Sequence, residues 1–206
     1  MLKILGRKTS SNVQKVLWLC SEMNLAYERE DIGGPFGRNR DPAYLALNPN
    51  GLVPTIDDDG FVLWESHAIM RYLAAKHGAE ALWPANLQER AAIDRWLDWG
   101  ATVIGPAITP MFLQIIRTPK PDQDPKAIEA SRQRTADALG ILERQLSGRP
   151  YVAGDRFTLA DIPSAIQTFR WFQFPVERPD LPNVKAWYER LGERAGYREH
   201  VMNPLV

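Results

Sequence analysis

The chain has 206 residues, 45% of them hydrophobic and 24% charged, a globular balance with length for one large domain or two small ones. Lys and Arg together number 25, as do Asp and Glu, so no net field favours nucleic acid or an anionic membrane as a partner. Apolar runs such as VLWLC read as too short to span a bilayer, MLKILGRK has no apolar signal core, and the single Cys20 excludes an internal disulfide or a C-x-x-C pair, all as expected of a cytoplasmic protein.

The first 78 residues alternate between strand and helix patterns. Leu2–Leu5 reads as a strand and Ser11–Met23 as a helix, with Val13, Val16, Leu17 and Cys20 on one face. Tyr27–Ile32 reads as a second strand, so a right-handed parallel βαβ unit is expected. Pro42–Leu47 is a short helix with proline at its first position. LVPTI and FVLW form a hairpin across DDDG, with Pro54 demoting the first strand to an edge or bulge. Ser66–His77 is a helix ending at Gly78.

After Gly78 the character changes. Trp83-Pro84 sits in a linker, and from Leu87 onward only helices are expected. QERAAIDRWLDWGATVI reads as helical until Gly105-Pro106, where a break or kink is expected. RTPKPDQDP separates it from a second long helix, Lys126–Leu146. In FTLADIP, Thr158 and Asp161 offer a capping box, with Phe157 and Ile162 placed for a hydrophobic staple. Helices over Leu159–Phe172 and Val184–Arg194 follow. The expected fold is α/β plus all-α in the order βαβαββα then helices: residues 1–78, a linker over 79–86, and a helical domain over 87–206.

Three polar constellations stand out in the first domain. Thr9-Ser10-Ser11-Asn12 places hydroxyls at a helix start, suited to an anion; Ser11 with Gln14 also fits a plain capping box. Val53-Pro54 suggests a cis bond that leaves the Val53 backbone open to an extended peptide, or else a simple edge strand. Glu65-Ser66 precedes a helix: Ser66 suits an N-cap, whereas Glu65 could accept from a ligand ammonium while Ser66 and the helix start hold its carboxylate. Together they describe a peptide-like ligand with an α-amino acid head and an anionic group near Ser10. Histidine spacing indicates no metal site.

With these residues in view, the chain resembles the cytosolic glutathione S-transferases, most of all theta- and delta-like bacterial members. The resemblance rests on SSNVQKVLW, YLALNPNGLVPTI, LWESHAIMRYLA and AGDRFTLADI, in that order over essentially the whole length. It implies a thioredoxin-like first domain and a detoxifying transferase with glutathione as cosubstrate and no cofactor. It also implies that Pro54 is cis, that the Val53 backbone pairs with the cysteinyl part of glutathione, and that Glu65 and Ser66 hold the γ-glutamyl end. Asn39 falls near the glycyl carboxylate. Ser10, Ser11 and Asn12 remain alternatives for the thiolate partner, because Ser11-Asn12-Val13 departs from the family's usual sequence there. His67 stands where delta-like members often carry arginine. A homodimer is implied, and a small apolar electrophile should bind between the domains, with Phe36, Trp99, Met111 and Phe112 as candidates. Trp96 should share a helix face with Trp99. Alternative readings are glutathione-dependent disulfide or peroxide reduction, isomerisation, and a non-catalytic interaction module or carrier of the same fold.

Overall fold

The computed structural model describes residues 1–206. In chain order the elements are β1 (Leu2–Leu5), α1 (Ser11–Glu22), β2 (Glu28–Glu30), α2 (Pro42–Leu47), β3 (Thr55–Asp58), β4 (Phe61–Trp64) and α3 (Ser66–Lys76). There follow α4 (Leu87–Trp99), α5 (Gly105–Phe112), α6 (Pro125–Leu146), α7 (Asp161–Gln173), α8 (Pro182–Gly192) and α9 (Ala195–His200). They form two compact units, Met1–Glu80 with Ala195–Asn203, and Ala81–Arg194 with Pro204–Val206.

The first unit is a four-stranded mixed sheet in the order β2-β1-β3-β4. The β1–β2 pair is parallel, as a strand-helix-strand crossover requires, and β1–β3 and β3–β4 are antiparallel. Ile4 lies opposite Ile56, and both are fully buried. The apolar faces of α1 (Val13, Val16, Leu17, Cys20) and α3 (Ile69, Met70, Leu73) are buried as well. The β3–β4 hairpin turns on Asp59 and Gly60, both with positive φ (52° and 93°), as a two-residue type I′ turn demands.

Three details of this unit differ from the sequence reading. Pro54 does not sit inside a strand: the ladder begins at Thr55, just after the cis Val53-Pro54 bond. The second strand spans three residues rather than Tyr27–Ile32, because its alternating ERE leaves it a short charged edge. The chain also returns here at its end, in α9, although the sequence places these residues in the helical domain over 87–206 and marks no helix there. The Tyr197 ring packs 4.8 Å from that of Trp18 on α1, and a Cβ at Gly196 would fall 2.8 Å from Trp18 Cδ1, so only glycine lets α9 approach. Close packing of these aromatics on α1, not a local signal, draws the last helix to this unit.

The second unit is all helical. Leu87–Arg117 runs unbroken through Gly105-Pro106, with π-helical turns at Gly100–Ile104 and Leu113–Arg117. Gly105 N–H reaches back five residues to Gly100 O, and this widened turn absorbs the donor that proline lacks. The expected break is therefore a bulge. The same stretch contains an uncharged run, 99–116, longer than the sequence reading allowed, and is long and apolar enough to cross a membrane by length and composition alone. In the helical unit one face of it is buried: Ile104, Ile108 and Met111 are covered at i, i+4, i+7, and α5 lies along α6, where Ser131 Oγ donates to Ala107 O.

Side chains close two helix starts here. Asn86 Oδ1 accepts from Gln88 and Glu89 N–H, and Asp124 Oδ1 from Lys126 and Ala127 N–H. Asp161 does more. Its carboxylate accepts from Thr158 N–H (2.9 Å), as a capping box requires, but also from Val152 N–H and Trp187 Nε1 (2.9 Å each). The Thr158 hydroxyl accepts from Ala160 N–H rather than completing the box at Asp161. Asp161 thus joins the loop after α6, the start of α7 and the middle of α8.

Burial pushes the Asp161 carboxyl up to about 6, against the pull of its donors. Between the unfolded value and about 6, the folded chain holds a proton that the unfolded chain has released. Stability should therefore fall as pH rises through that window. Asp161→Ala should cost about 3–5 kcal/mol in urea unfolding near neutral pH, since it strands three buried donors, and should flatten that pH dependence. A loss below about 1 kcal/mol would mean that water or rearrangement satisfies them.

Candidate functional site

The polar residues singled out in the sequence gather around the starts of α1 and α3. Ser10 is the N-cap residue of α1, with Gln14 N–H donating to its backbone oxygen at 2.8 Å. Its hydroxyl makes no capping bond. Ser11 is the first helical residue instead of the cap, so the Ser11–Gln14 capping box does not form. The first-turn amides of α1 thus point outward without a side-chain cap.

A similar displacement occurs at α3. Ser66 is its first residue and Glu65 its N-cap, again with no side-chain capping bond. Glu65 adopts φ 72°, ψ 109°, a conformation that costs a non-glycine residue about 1–3 kcal/mol. Its side chain is exposed, while Ser66 and His67 are buried. Strain at an acidic residue on the rim of a helix N-terminus is what a ligand-orienting role would retain.

The two helix starts are tied together by a residue the sequence reading passed over. Lys15 is only 5% exposed. Its Nζ donates to Asn12 Oδ1 at 2.9 Å, lies 2.9 Å from His67 Nε2, and makes a longer contact of 3.5 Å to Ser66 Oγ. Asn12 Oδ1 also lies 3.5 Å from the Ser66 hydroxyl, which can donate to it. Helical pitch puts Lys15 on the face of Asn12, three residues earlier, and that was legible. The cover supplied by α3 was not.

Val53 lies in the loop just before β3. It falls outside the ladder, and neither its N–H nor its C=O is taken by a hydrogen bond within the chain. Its side chain packs with Leu5, Ile32 and Tyr44, and a Cβ built at Gly6 would meet both Val13 and Val53, so the loop abuts the first turn of α1. Buried polar groups hold the loop in place. Tyr44 Oη donates to Leu52 O (2.6 Å) and lies 2.9 Å from Thr55 Oγ1, while Asn48 Nδ2 donates to both acceptors. Burial raises the Tyr44 phenol above its usual value, against the hydrogen bonds of Thr55 and Asn48, so it stays a neutral donor. Two of these supports, Tyr44 and Asn48, lie in the quoted YLALNPN stretch and are buried.

Asn39 is placed at the same loop. Its Nδ2 donates to Gly51 O at 2.8 Å, and Gly51, at φ 62°, has no room for a Cβ, which would sit 2.8 Å from Asn39 O. Asn39 therefore braces the approach to Val53. Arg38 pairs with Glu30, and Arg40 Nη1 donates to Asn50 O at 3.4 Å.

The electrophile-site candidates divide. Phe36, in the first unit, is 50% exposed on a short 3₁₀ turn, Gly34–Phe36. Trp99, in the second, is partly buried and packs edge-on against Trp96, with ring centroids 5.1 Å apart, as the i, i+3 spacing implied. Met111 and Phe112 depart from expectation. Met111 has no exposed surface, and the Phe112 ring is covered by the Arg170 guanidinium at 4.3 Å. They follow the Ile104–Ile108 stripe into the helical core and present no wall to a ligand. Cys20 is likewise buried, and burial pushes its thiol up to about 12, so it is no nucleophile. No cluster of three His, Cys, Asp or Glu side chains is placed to hold a metal ion.

A four-stranded mixed sheet with a cis-proline loop beside a helix N-terminus, followed by an all-helical unit, defines a two-domain protein with a thioredoxin-like first domain. The chain belongs to the glutathione S-transferase family of enzymes: residues 9–76 match its N-terminal domain and 101–195 its C-terminal domain. It is 37% identical over 207 residues to Glutathione S-transferase GstB of Escherichia coli strain K12, covering 100% of both chains. Among solved structures it is similar to the theta class glutathione S-transferase of Xanthomonas axonopodis pv. citri with glutathione bound (44% identity, TM-score 0.96, 100% and 99% of the two chains covered). Glutathione transferase F7 of Populus trichocarpa is a further neighbour (30% identity, TM-score 0.89, 99% and 100% covered).

A thiol reagent should leave Cys20 unmodified in the native protein at pH 8 and titrate one thiol per chain after denaturation. Rapid native modification would contradict the burial of α1 against its sheet.

Proposed function

We propose that the chain is a glutathione transferase in which the start of α1 stabilises the glutathione thiolate for attack on a small apolar electrophile. One observation carries the assignment of the thiolate donor. Ser10 occupies the N-cap position of α1, yet its hydroxyl does not cap the helix and is left for a ligand. Asn12, by contrast, already directs its carbonyl oxygen to Lys15. Ser10 is thus the principal donor, and Asn12 and Ser11 frame it.

A free thiol with pKa near 8.5 is only about 3% ionised at pH 7. A hydroxyl donor and the positive end of α1 that lower it by about two units supply roughly 2.7 kcal/mol. On binding, the thiol proton leaves to solvent. The sulfur lone pair then forms a C–S bond with the electrophile, whose leaving group departs with its electron pair. The cysteinyl backbone pairs with Val53 beside cis Pro54, the γ-glutamyl end lies at Glu65 and Ser66, and Asn39 steadies the loop between. The similarity to a glutathione-bound transferase supports this placement. A cytoplasmic homodimer accompanies the reading.

Ser10→Ala should lower turnover with a model aryl halide by about tenfold or more while the glutathione dissociation constant changes by less than about threefold. Unchanged turnover would remove Ser10 from the chemistry. Asn12→Ala is the control that separates the two: a larger loss of turnover there would transfer the donor role to Asn12.

A further inference from the structure

We infer that Lys15 is the cation that recognises the α-carboxylate of the γ-glutamyl group, acting from behind Ser66 and beside His67. The inference rests on the placement of glutathione proposed above and deepens it.

Lys15 is the fourth residue beyond Ser11 on α1, where a lysine ordinarily extends into solvent. Here it is 5% exposed and turned toward the start of α3, with His67 Nε2 at 2.9 Å and Ser66 Oγ at 3.5 Å. An ammonium only donates, so the imidazole nitrogen facing it accepts. In that arrangement His67 accepts through Nε2 and Lys15 supplies the positive charge. A second cation 2.9 Å from Nζ would repel it, so the pair holds one positive charge.

Three sources of positive potential thereby converge on Ser66: the ammonium, the Ser66 hydroxyl dipole and the uncapped first turn of α3. A carboxylate that accepts from Ser66 comes under the influence of the nearby charge, in a setting where little water screens it. Asn12 belongs to the same arrangement, since its Oδ1 holds Nζ from the side of α1. Lys15 therefore couples the thiolate end of the site to the glutamyl end. It is a positioning residue for the ligand and has no part in the bond-making step.

The test compares glutathione with γ-aminobutyryl-cysteinyl-glycine, which lacks only the α-carboxylate, by calorimetry on the full chain and on Lys15→Met. Wild type should bind glutathione at least about tenfold more tightly than the analogue. Lys15→Met should weaken glutathione about tenfold yet leave the analogue within about twofold, closing the gap. Turnover at saturating glutathione should be retained while KM rises, and Lys15→Arg should restore most of the preference. An equal loss for both ligands would make Lys15 structural and overturn the inference, as would an undiminished preference for the carboxylate. Should Lys15→Met fail to fold, Lys15→Gln gives the same comparison. Failure of wild type to bind either ligand would instead refute the proposed glutathione site itself, a result distinct from any produced by the variants.

Discussion

The site depends on two helix starts that are not closed by their own side chains. Ser10 and Glu65 occupy the N-cap positions of α1 and α3, and neither gives its side chain to the first turn. Backbone donors at a helix N-terminus must bond to something, and they attract anions by both geometry and dipole. At α4 and α6 the N-cap side chains of Asn86 and Asp124 close the first turn, whereas Asp41 at α2 does not. The uncapped pair is the arrangement suited to a ligand with negative charge at two points, a thiolate and a carboxylate. Glu65, held at positive φ beside one of them, is the carboxylate that the proposed function assigns to the ligand's ammonium.

An open strand edge completes the recognition of a peptide, and here it is built without exposing a strand. The ladder begins at Thr55, so Val53 keeps a free backbone while the residues after it are locked to β1 and β4. Tyr44, Asn48 and Thr55 anchor the loop from beneath, and Asn39 from the side. Any drift of Val53 would have to break buried hydrogen bonds, each leaving a polar group unsatisfied. Preorganisation of this kind lowers the ordering cost of binding an extended ligand along Val53.

Much of this was legible because it is local. The alternation of Leu2–Leu5, Ser11–Met23 and the LVPTI/FVLW hairpin follows from periodicity and turn chemistry, and the cis Pro54, Glu65-Ser66 and Ser10–Asn12 stretches were visible as features that local structure alone did not require. Cap positions slipped by one residue at both α1 and α3, since a serine is a plausible cap whether or not its neighbour takes the place. What escaped was tertiary. Lys15 reads as a surface residue until α3 covers it, and Met111 as a pocket wall until the apolar stripe of α5 turns it inward. The short α9 joins the first unit because Tyr197 packs on Trp18, a contact between residues far apart in sequence. Gly105-Pro106 signals a helix break by propensity, but a π-helical turn carries the helix through it.

The central claim is that the start of α1 holds the bound thiol as a thiolate. Ultraviolet difference absorbance of the glutathione complex, followed across pH at saturating ligand, measures it directly. The account predicts a bound-thiol pKa about two units below the free value near 8.5, so that thiolate dominates at pH 7. Saturable binding with the thiol titrating at its free value would contradict it.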